Sequence, residues 1–491
     1  MALRRYTAIK DNTITNAYKS NLTTRGTGSN MGLSDSLEVF SIFGQESNSS
    51  SEAARFLVQF PISSSDTGNT VLADRAAGKI PSSGSVNFYL RVFNVATDKT
   101  LPRDFTLVTS PVSRSWQEGY GLDMENYSDL TYNGTGSNWI NAAAHTPWII
   151  QGGDYLTGSQ YSEYNYSQVF ANGGEDLEID ITGLVEQWIK GNHSGVGGYE
   201  NYGVGVFLTG SQEGGNRSYY SKMFSARGSE YFFKRPIIEA RWNSSTKDQR
   251  GSFYVSSSNL SAADNLNTIY FYNYFRGQLV DLPSPVSTGS IYVDIYNSHK
   301  DGTKITTTPE NPVTGGWVDT GIYSASFATS TTEEVVFDRW RGTDTDVCYH
   351  TGSFKPIRFH SSNIYQTQDY ITSINNLRNE YSRIDGARIR VYTRKKNWNP
   401  TIYTVAQAGV ENYIIDDIYY KVSRIIDDYT AIPYGTGSLN HTKLSYDVSG
   451  SYFDLDVSLL ESGFQYGIRF CYYIDGAYDE HNHTYKFKVV E

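Results

Sequence analysis

Ser85-Val-Asn-Phe-Tyr-Leu-Arg-Val92 is the stretch that decides the fold class. Val86, Phe88, Leu90 and Val92 fall on one side of an extended chain, and Asn87, Tyr89 and Arg91 on the other. That period of two belongs to a strand with one buried face. The alternation returns at Ile389 and Val391 beside Arg388 and Arg390, and at Phe453, Leu455 and Val457 opposite Asp454 and Asp456. Parallel strands would be apolar on both faces, so these read as antiparallel, half-solvated strands. The sequence predicts an all-β chain of consecutive antiparallel β-sandwich domains, jelly-roll or immunoglobulin-like, with few short helices.

Composition supports that reading. Aromatic residues make up 14% of the 491, with 40 tyrosines against 4 methionines, which suits pleated surfaces where rings pack across strands and phenol oxygens meet water. This length exceeds one ordinary core and implies two or three domains. A formal net charge of -11 gives no broad positive field for phosphates or anionic lipid, so neither nucleic acid nor a membrane surface is an expected partner. Met1-Ala-Leu-Arg-Arg-Tyr6 carries two positive charges without an apolar stretch after it, and no run of about 20 apolar residues occurs, so synthesis in a host cytoplasm is expected. Cys348 and Cys471, far apart in sequence, read as reduced and largely buried thiols.

Two helices are expected. One has Thr182 as N-cap, then Leu184, Val185, Trp188 and Ile189 on one face and Gly191 past the end. The other spans Ser373 to Tyr381. The tripeptide Thr-Gly-Ser recurs from Thr27 to Thr436 at irregular spacing and reads as turn punctuation. Domain one is placed at 1–243, followed by the polar link Ser244-Ser-Thr-Lys-Asp-Gln-Arg-Gly251. A second β-rich domain is placed at 244–395, ending after Ala387-Arg-Ile-Arg-Val-Tyr392, and a C-terminal sandwich at 396–491.

Catalytic signatures are absent: there is no Gly-x-Ser-x-Gly elbow, no phosphate loop and no His-Glu-x-x-His. The glycine-rich 195–203 precedes a strand and opens no helix, so it is not a dinucleotide loop. No enzyme activity is expected. Asp479, His481 and His483 alternate along an extended segment and could converge on a metal ion; the competing reading is a solvated hairpin. Trp148, Tyr155, Tyr161, Tyr164 and Tyr166 lie among Gly, Ser and Asn in an insertion-rich stretch, 139–170, whose rings would stack on sugars, touch a neighbouring subunit, or pack on their own sandwich.

The order of segments in the first half resembles the DNRLRE-type sandwich, a carbohydrate-binding-module-like fold. That order is Asp11-Asn-Thr-Ile-Thr-Asn16, Leu37-Glu-Val-Phe-Ser-Ile42, Ala54-Arg-Phe-Leu-Val-Gln-Phe60, Ser85 to Val92, Trp116-Gln-Glu-Gly119, Asp180 to Gly191 and Tyr202 to Leu208. In the second half Arg235-Pro-Ile-Ile-Glu-Ala-Arg-Trp242, Ala263-Asp-Asn-Leu-Asn267, Trp398-Asn-Pro-Thr-Ile-Tyr403 and Leu444-Ser-Tyr-Asp-Val-Ser-Gly450 resemble virion structural proteins of marine tailed phages, cyanophages in particular. These resemblances imply a virion protein on the neck, tail or capsid exterior that partners copies of itself and other virion proteins. Candidate interface anchors are Trp398, Tyr403 and the basic run Arg394, Lys395 and Lys396, the competing reading of that run being a solvated turn. No cofactor is expected; sandwiches of this family often carry a structural calcium ion, for which Asp11 and Asp180 would be the candidate ligands, the competing reading being ordinary loop acids. The alternative is an adhesin or fibre module that binds host-surface glycan through Trp148, Tyr161 and Tyr164.

Overall fold

The computed structural model describes residues 2–19, 21–44, 51–63, 66, 68–98, 100–122, 135–191, 197–299, 302–358, 369–398, 401–403, 412–474 and 476–491. The chain is nearly all β and forms two compact units, Ala2–Asn243 and Ser244–Glu491.

In the first unit, Ser85 to Val92 forms the strand Asn87–Val92, with the expected burial: Phe88, Leu90 and Val92 are inside and Asn87, Tyr89 and Arg91 half-buried. It sits in a four-stranded antiparallel sheet in the order Leu3–Thr7, Ile237–Arg241, Asn87–Val92, Leu177–Asp180. A seven-stranded sheet faces it. Its order is Tyr219–Ser225, Ser36–Ile42, Glu52–Gln59, Val204–Leu208, Phe105–Pro111, Tyr166–Phe170, with Lys10–Thr15 paired to Glu52–Gln59. Phe88, Leu90, Val92, Ile238 and Ala240 from the smaller sheet meet Phe56, Val58, Phe105, Phe170 and Phe224 from the larger in one core. The helix Thr182–Lys190 contributes Leu184, Val185 and Trp188 to that core, and Gly191 ends it at φ 63°. Its N-cap is Ile181 instead of Thr182. The Thr182 hydroxyl is already used, accepting from the Phe88 amide at 2.8 Å and donating to Asp180 at 2.6 Å.

The outer face of the smaller sheet carries an ionic cluster. Glu239, fully buried, accepts from Arg5 at 2.7 Å and lies 3.4 Å from Arg91 and 2.6 Å from Arg241. Arg5 stands directly across the ladder from Glu239, so register fixes the pair.

The second unit begins with a six-stranded antiparallel sheet in the order Asn267–Tyr272, Ile322–Phe327, Val313–Asp319, Ser290–Tyr296, Val336–Arg341, Cys348–Phe354. Its core holds Phe253, Ile269, Phe271, Ile291, Val293, Tyr323 and Trp340. Two further sheets follow: Tyr370–Ile374, Gly386–Lys395, Gly450–Asp456 and Ser445–Asp447; then Glu380–Ser382, Tyr485–Val490, Gln465–Ile474, Ile418–Arg424 and Thr430–Ile432, with Ala477–Glu480 on Gln465–Ile474. Tyr420 stacks on Phe453 at 4.1 Å to join them as a sandwich.

Several expectations need correction here. The strand Gly386–Lys395, assigned from sequence to the second domain, pairs with Gly450–Asp456, so the sheets divide between Phe354 and Tyr370 and not at 395. Ser373 to Tyr381 is not a helix: it holds the end of one strand and the start of another, because Ile371 to Ile374 finds ladder partners in Val391 to Arg394. Trp116 to Gly119 is irregular. Thr351-Gly352-Ser353 lies inside a strand, where a Cβ on Gly352 would come within 2.6 Å of the Arg250 guanidinium that grips Asp338. Of the two free thiols, Cys471 is buried but Cys348 is exposed.

Burial alone would raise the pKa of Glu239, but Arg5, Arg91 and Arg241 outweigh it and hold the carboxyl well below the usual range. A depressed folded-state pKa gives stability that is present above the unfolded value and lost as pH falls through the folded one. Glu239→Gln should therefore cost about 3–5 kcal/mol in denaturant titrations at pH 7, leaving buried guanidinium charge uncompensated. The gap between variant and wild type should narrow below about pH 4; a gap independent of pH would contradict the ionic assignment.

Candidate interaction surface

The strand Glu52–Gln59 is apolar toward both faces. Phe56 and Val58 enter the main core, while Ala53 and Leu57 enter a second core on the outer side of the larger sheet, with Ile14, Val112, Trp116, Trp139, Ala142 and Trp148. The insertion-rich stretch thus covers this outer face. Arg55, between Ala53 and Leu57, fastens it: Nη1 donates to Gly152 O at 3.0 Å, Nε and Nη2 grip Glu213 at 2.9 and 2.5 Å, and the guanidinium lies 5.3 Å from the Trp139 ring and 5.0 Å from Phe207. Trp116 donates to Tyr202 O and Trp148 to Asn138 O, each at 2.8 Å, so both indole N–H groups are satisfied inside.

Beyond Trp148 the chain turns sharply and leaves two isoleucines outside. The Asp154 carboxylate, buried, accepts from the Ile149 amide at 3.0 Å and the Ile150 amide at 2.9 Å, while Gly152 N donates to Trp139 O at 2.8 Å. Gly152 sits at φ 88°, and a Cβ there would meet the Trp139 ring at 2.9 Å, so glycine is required. Ile149 is 84% and Ile150 69% exposed. A turn held through the amides of Ile149, Ile150 and Gly152 that still displays two aliphatic side chains to water has the character of a contact point.

The residues expected to bind fare differently. Trp148 is buried, and so is Tyr164; Tyr161 is half-buried. Tyr161 and Tyr164 both pack edge-on against Tyr199, at 5.5 Å each. Tyr164 thus belongs to the main core, with Tyr161 packed against it, while Trp148 sits in the outer core. In the second unit, Lys395 lies 4.6 Å over the Tyr413 ring, Lys396 pairs with Asp369 at 3.0 Å, Arg394 donates to Lys395 O, and the half-buried Trp398 donates its amide to the same oxygen. The basic run is engaged with its own neighbours. Ile402 and Tyr403 are exposed, and Asn399 and Pro400 between them and Trp398 lie outside the described residues, as do Gly195 and Val196 of the glycine-rich stretch.

Neither metal expectation gathers ligands. His481 packs edge-on against Tyr472 and His483 against Tyr485, while Asp479 lies exposed opposite Tyr472. Asp11 is buried in the larger sheet, its Oδ2 accepting from the Arg227 amide at 2.5 Å; Asp180 is exposed in the smaller sheet and holds Thr182. Among the described residues no group of three or more His, Cys, Asp or Glu stands close enough to hold a metal ion.

Sequence reading missed Ile149, Ile150 and their clamp, although the run Trp148-Ile-Ile-Gln-Gly-Gly-Asp154 carries the signal. Apolar residues run straight into a double glycine and an acid able to cap amides.

No protein-family model and no curated protein matches the chain. Among solved structures, trypsin-activated alpha-2-macroglobulin from Escherichia coli aligns with 83% of this chain at 10% identity and a TM-score of 0.14, a level that carries no argument. This chain spans 31% of that protein's length.

Burial pushes the Asp11 carboxyl up to about 7, against the pull of the Arg227 amide. A raised folded-state pKa means that stability held at low pH is lost as pH rises through 7, when a buried charge must form. Asp11→Asn keeps an acceptor for the Arg227 amide without the charge. Its melting temperature should exceed wild type at pH 8.5 and converge with it at pH 5; a variant less stable at pH 8.5 would show that the carboxylate charge is needed, as a calcium ligand would be.

Proposed function

We propose that this chain is a non-enzymatic structural component of a tailed-phage particle, on the neck, tail or capsid exterior, working through symmetric protein–protein assembly. The observation that carries the reading is the rigid turn at Ile149 and Ile150. An assembly contact gains most from apolar anchors that lose little freedom on docking, and the Asp154 clamp has already fixed this backbone. Sandwiches in tandem with self-packed aromatic loops suit a particle component, and the resemblance of the second half to virion proteins points the same way. A glycan-binding adhesin is less well supported. Stacking on sugar needs an open aromatic face, and Trp148 and Tyr164 are buried.

The test is the double variant Ile149→Asp, Ile150→Asp, supplied in trans to particles assembled without the wild-type chain. Both side chains are exposed, so stability should stay within about 0.5 kcal/mol per site. Incorporation measured by quantitative mass spectrometry of purified particles should fall about tenfold or more, equivalent to at least about 1.4 kcal/mol of contact energy. Incorporation equal to wild type would overturn the assignment of this turn.

A further inference from the structure

Lys222 is an unusual core residue. It lies in the edge strand Tyr219–Ser225, just after a register shift in the ladder, and this places it on the same inward face as Phe224. The residue is 1% exposed, and its Nζ lies 4.8 Å from the Phe224 ring centre and 5.3 Å from that of Phe170. Nζ approaches Asn94 Oδ1 at 2.5 Å, Gly173 O at 2.8 Å and Glu175 O at 3.0 Å. These are neutral oxygens around a buried cation, an arrangement that costs the fold free energy while the charge persists.

Asn94 is equally fixed. It follows the strand Asn87–Val92, its amide donates to Asp176 Oδ1 at 2.7 Å, and its backbone bridges Phe224, with Val95 N on Met223 O at 3.1 Å and Ser225 N on Phe93 O at 2.9 Å. Since a C=O bond is about 1.23 Å long, the Asn94 Cγ lies no more than about 3.7 Å from Nζ, close to near-attack separation. Beside them stands Glu175. Its Oε1 accepts from the Asn172 amide at 2.7 Å, whereas its Oε2 is buried with no hydrogen-bond partner among the described residues. Its charge, with that of Asp176, acts on Lys222. Burial lowers the Lys222 pKa to about 8, which gives the free amine a sizeable population near neutral pH.

We propose that Lys222 and Asn94 join in an intramolecular isopeptide bond. The neutral Nζ adds to Asn94 Cγ and charge develops on Oδ1. Glu175 carries the surplus Nζ proton to Nδ2, the Cγ–Nδ2 bond breaks, and ammonia leaves. One amide replaces another, with no change of oxidation state and no co-reactant. The product is neutral, so the reaction removes the buried charge that the aromatic pocket disfavours. It closes a link across 128 residues, tying the end of a strand in the smaller sheet to the edge strand of the larger. This inference rests on the Lys222 site alone and is independent of the particle reading.

The experiment is tryptic peptide mapping of the purified full-length protein by mass spectrometry after incubation at pH 8. The expected result is a branched peptide joining the Asn94 and Lys222 segments, lighter than the two together by one ammonia, about 17 Da, with no cleavage after Lys222. A linear peptide ending at Lys222, together with unmodified Asn94, would overturn the proposal. Glu175→Gln should lower the branched fraction at least tenfold at early times; a fraction equal to wild type would remove Glu175 from the reaction. Lys222→Arg should give no branched peptide, and one that persists would place the link elsewhere.

Discussion

Everything distinctive about the first unit depends on the double-sided burial of the strand Glu52–Gln59. A sheet with one apolar face needs one partner layer; this strand presents Phe56 and Val58 to one side and Ala53 and Leu57 to the other, so it requires two. The facing sheet supplies the first. The insertion rich in Trp and Tyr supplies the second, and Arg55 fixes its position by bonding both Gly152 and Glu213 from within that layer. A lysine there would be a point charge without the planar fork that reaches the carbonyl and the carboxylate together.

That constraint explains why residues with the chemistry of a binding surface became structure. Trp116, Trp139 and Trp148 pack on the sheet because an uncovered face bearing Ile14 and Leu57 would be an aggregation hazard. What the insertion leaves outside is aliphatic: Ile149 and Ile150, at the point where the chain must reverse over the double glycine. The same logic operates at the larger sheet's edge strand, where the aromatic pocket of Phe170 and Phe224 encloses a lysine amine against the side-chain carbonyl of Asn94.

The fold class was legible wherever alternation is strict, as at Val86 to Val92 and Phe453 to Val457, because period two follows directly from pleat geometry. It failed where tertiary pairing overrode local pattern. Ile374, Leu377 and Tyr381 have helical spacing, yet Ile374 is drawn into a ladder with Val391 and Tyr381 into one with Val489. Thr182 looks like an N-cap, but the Phe88 amide takes its hydroxyl. The domain limit near residue 395 was misplaced because a charge cluster and a proline resemble a linker, whereas the strand Gly386–Lys395 belongs to the sheet completed by Gly450–Asp456. Site residues were the least legible. Burial of Trp148 follows from an apolar sheet face distant in sequence, and the meeting of Lys222 with Asn94 follows from a ladder shift that no local pattern announces.

The most direct test of this account is hydrogen exchange at single-residue resolution across Trp148 to Gly152 in the isolated chain. Four amides there are bonded: Trp148 to Ile140 O, Ile149 and Ile150 to the Asp154 carboxylate, and Gly152 to Trp139 O. If the insertion is a fixed second layer, these amides should exchange as slowly as those of the strand Glu52–Gln59 beneath them. Exchange at the rate of an unprotected loop would contradict the claim that the aromatic insertion is part of the fold and holds its two isoleucines ready for contact.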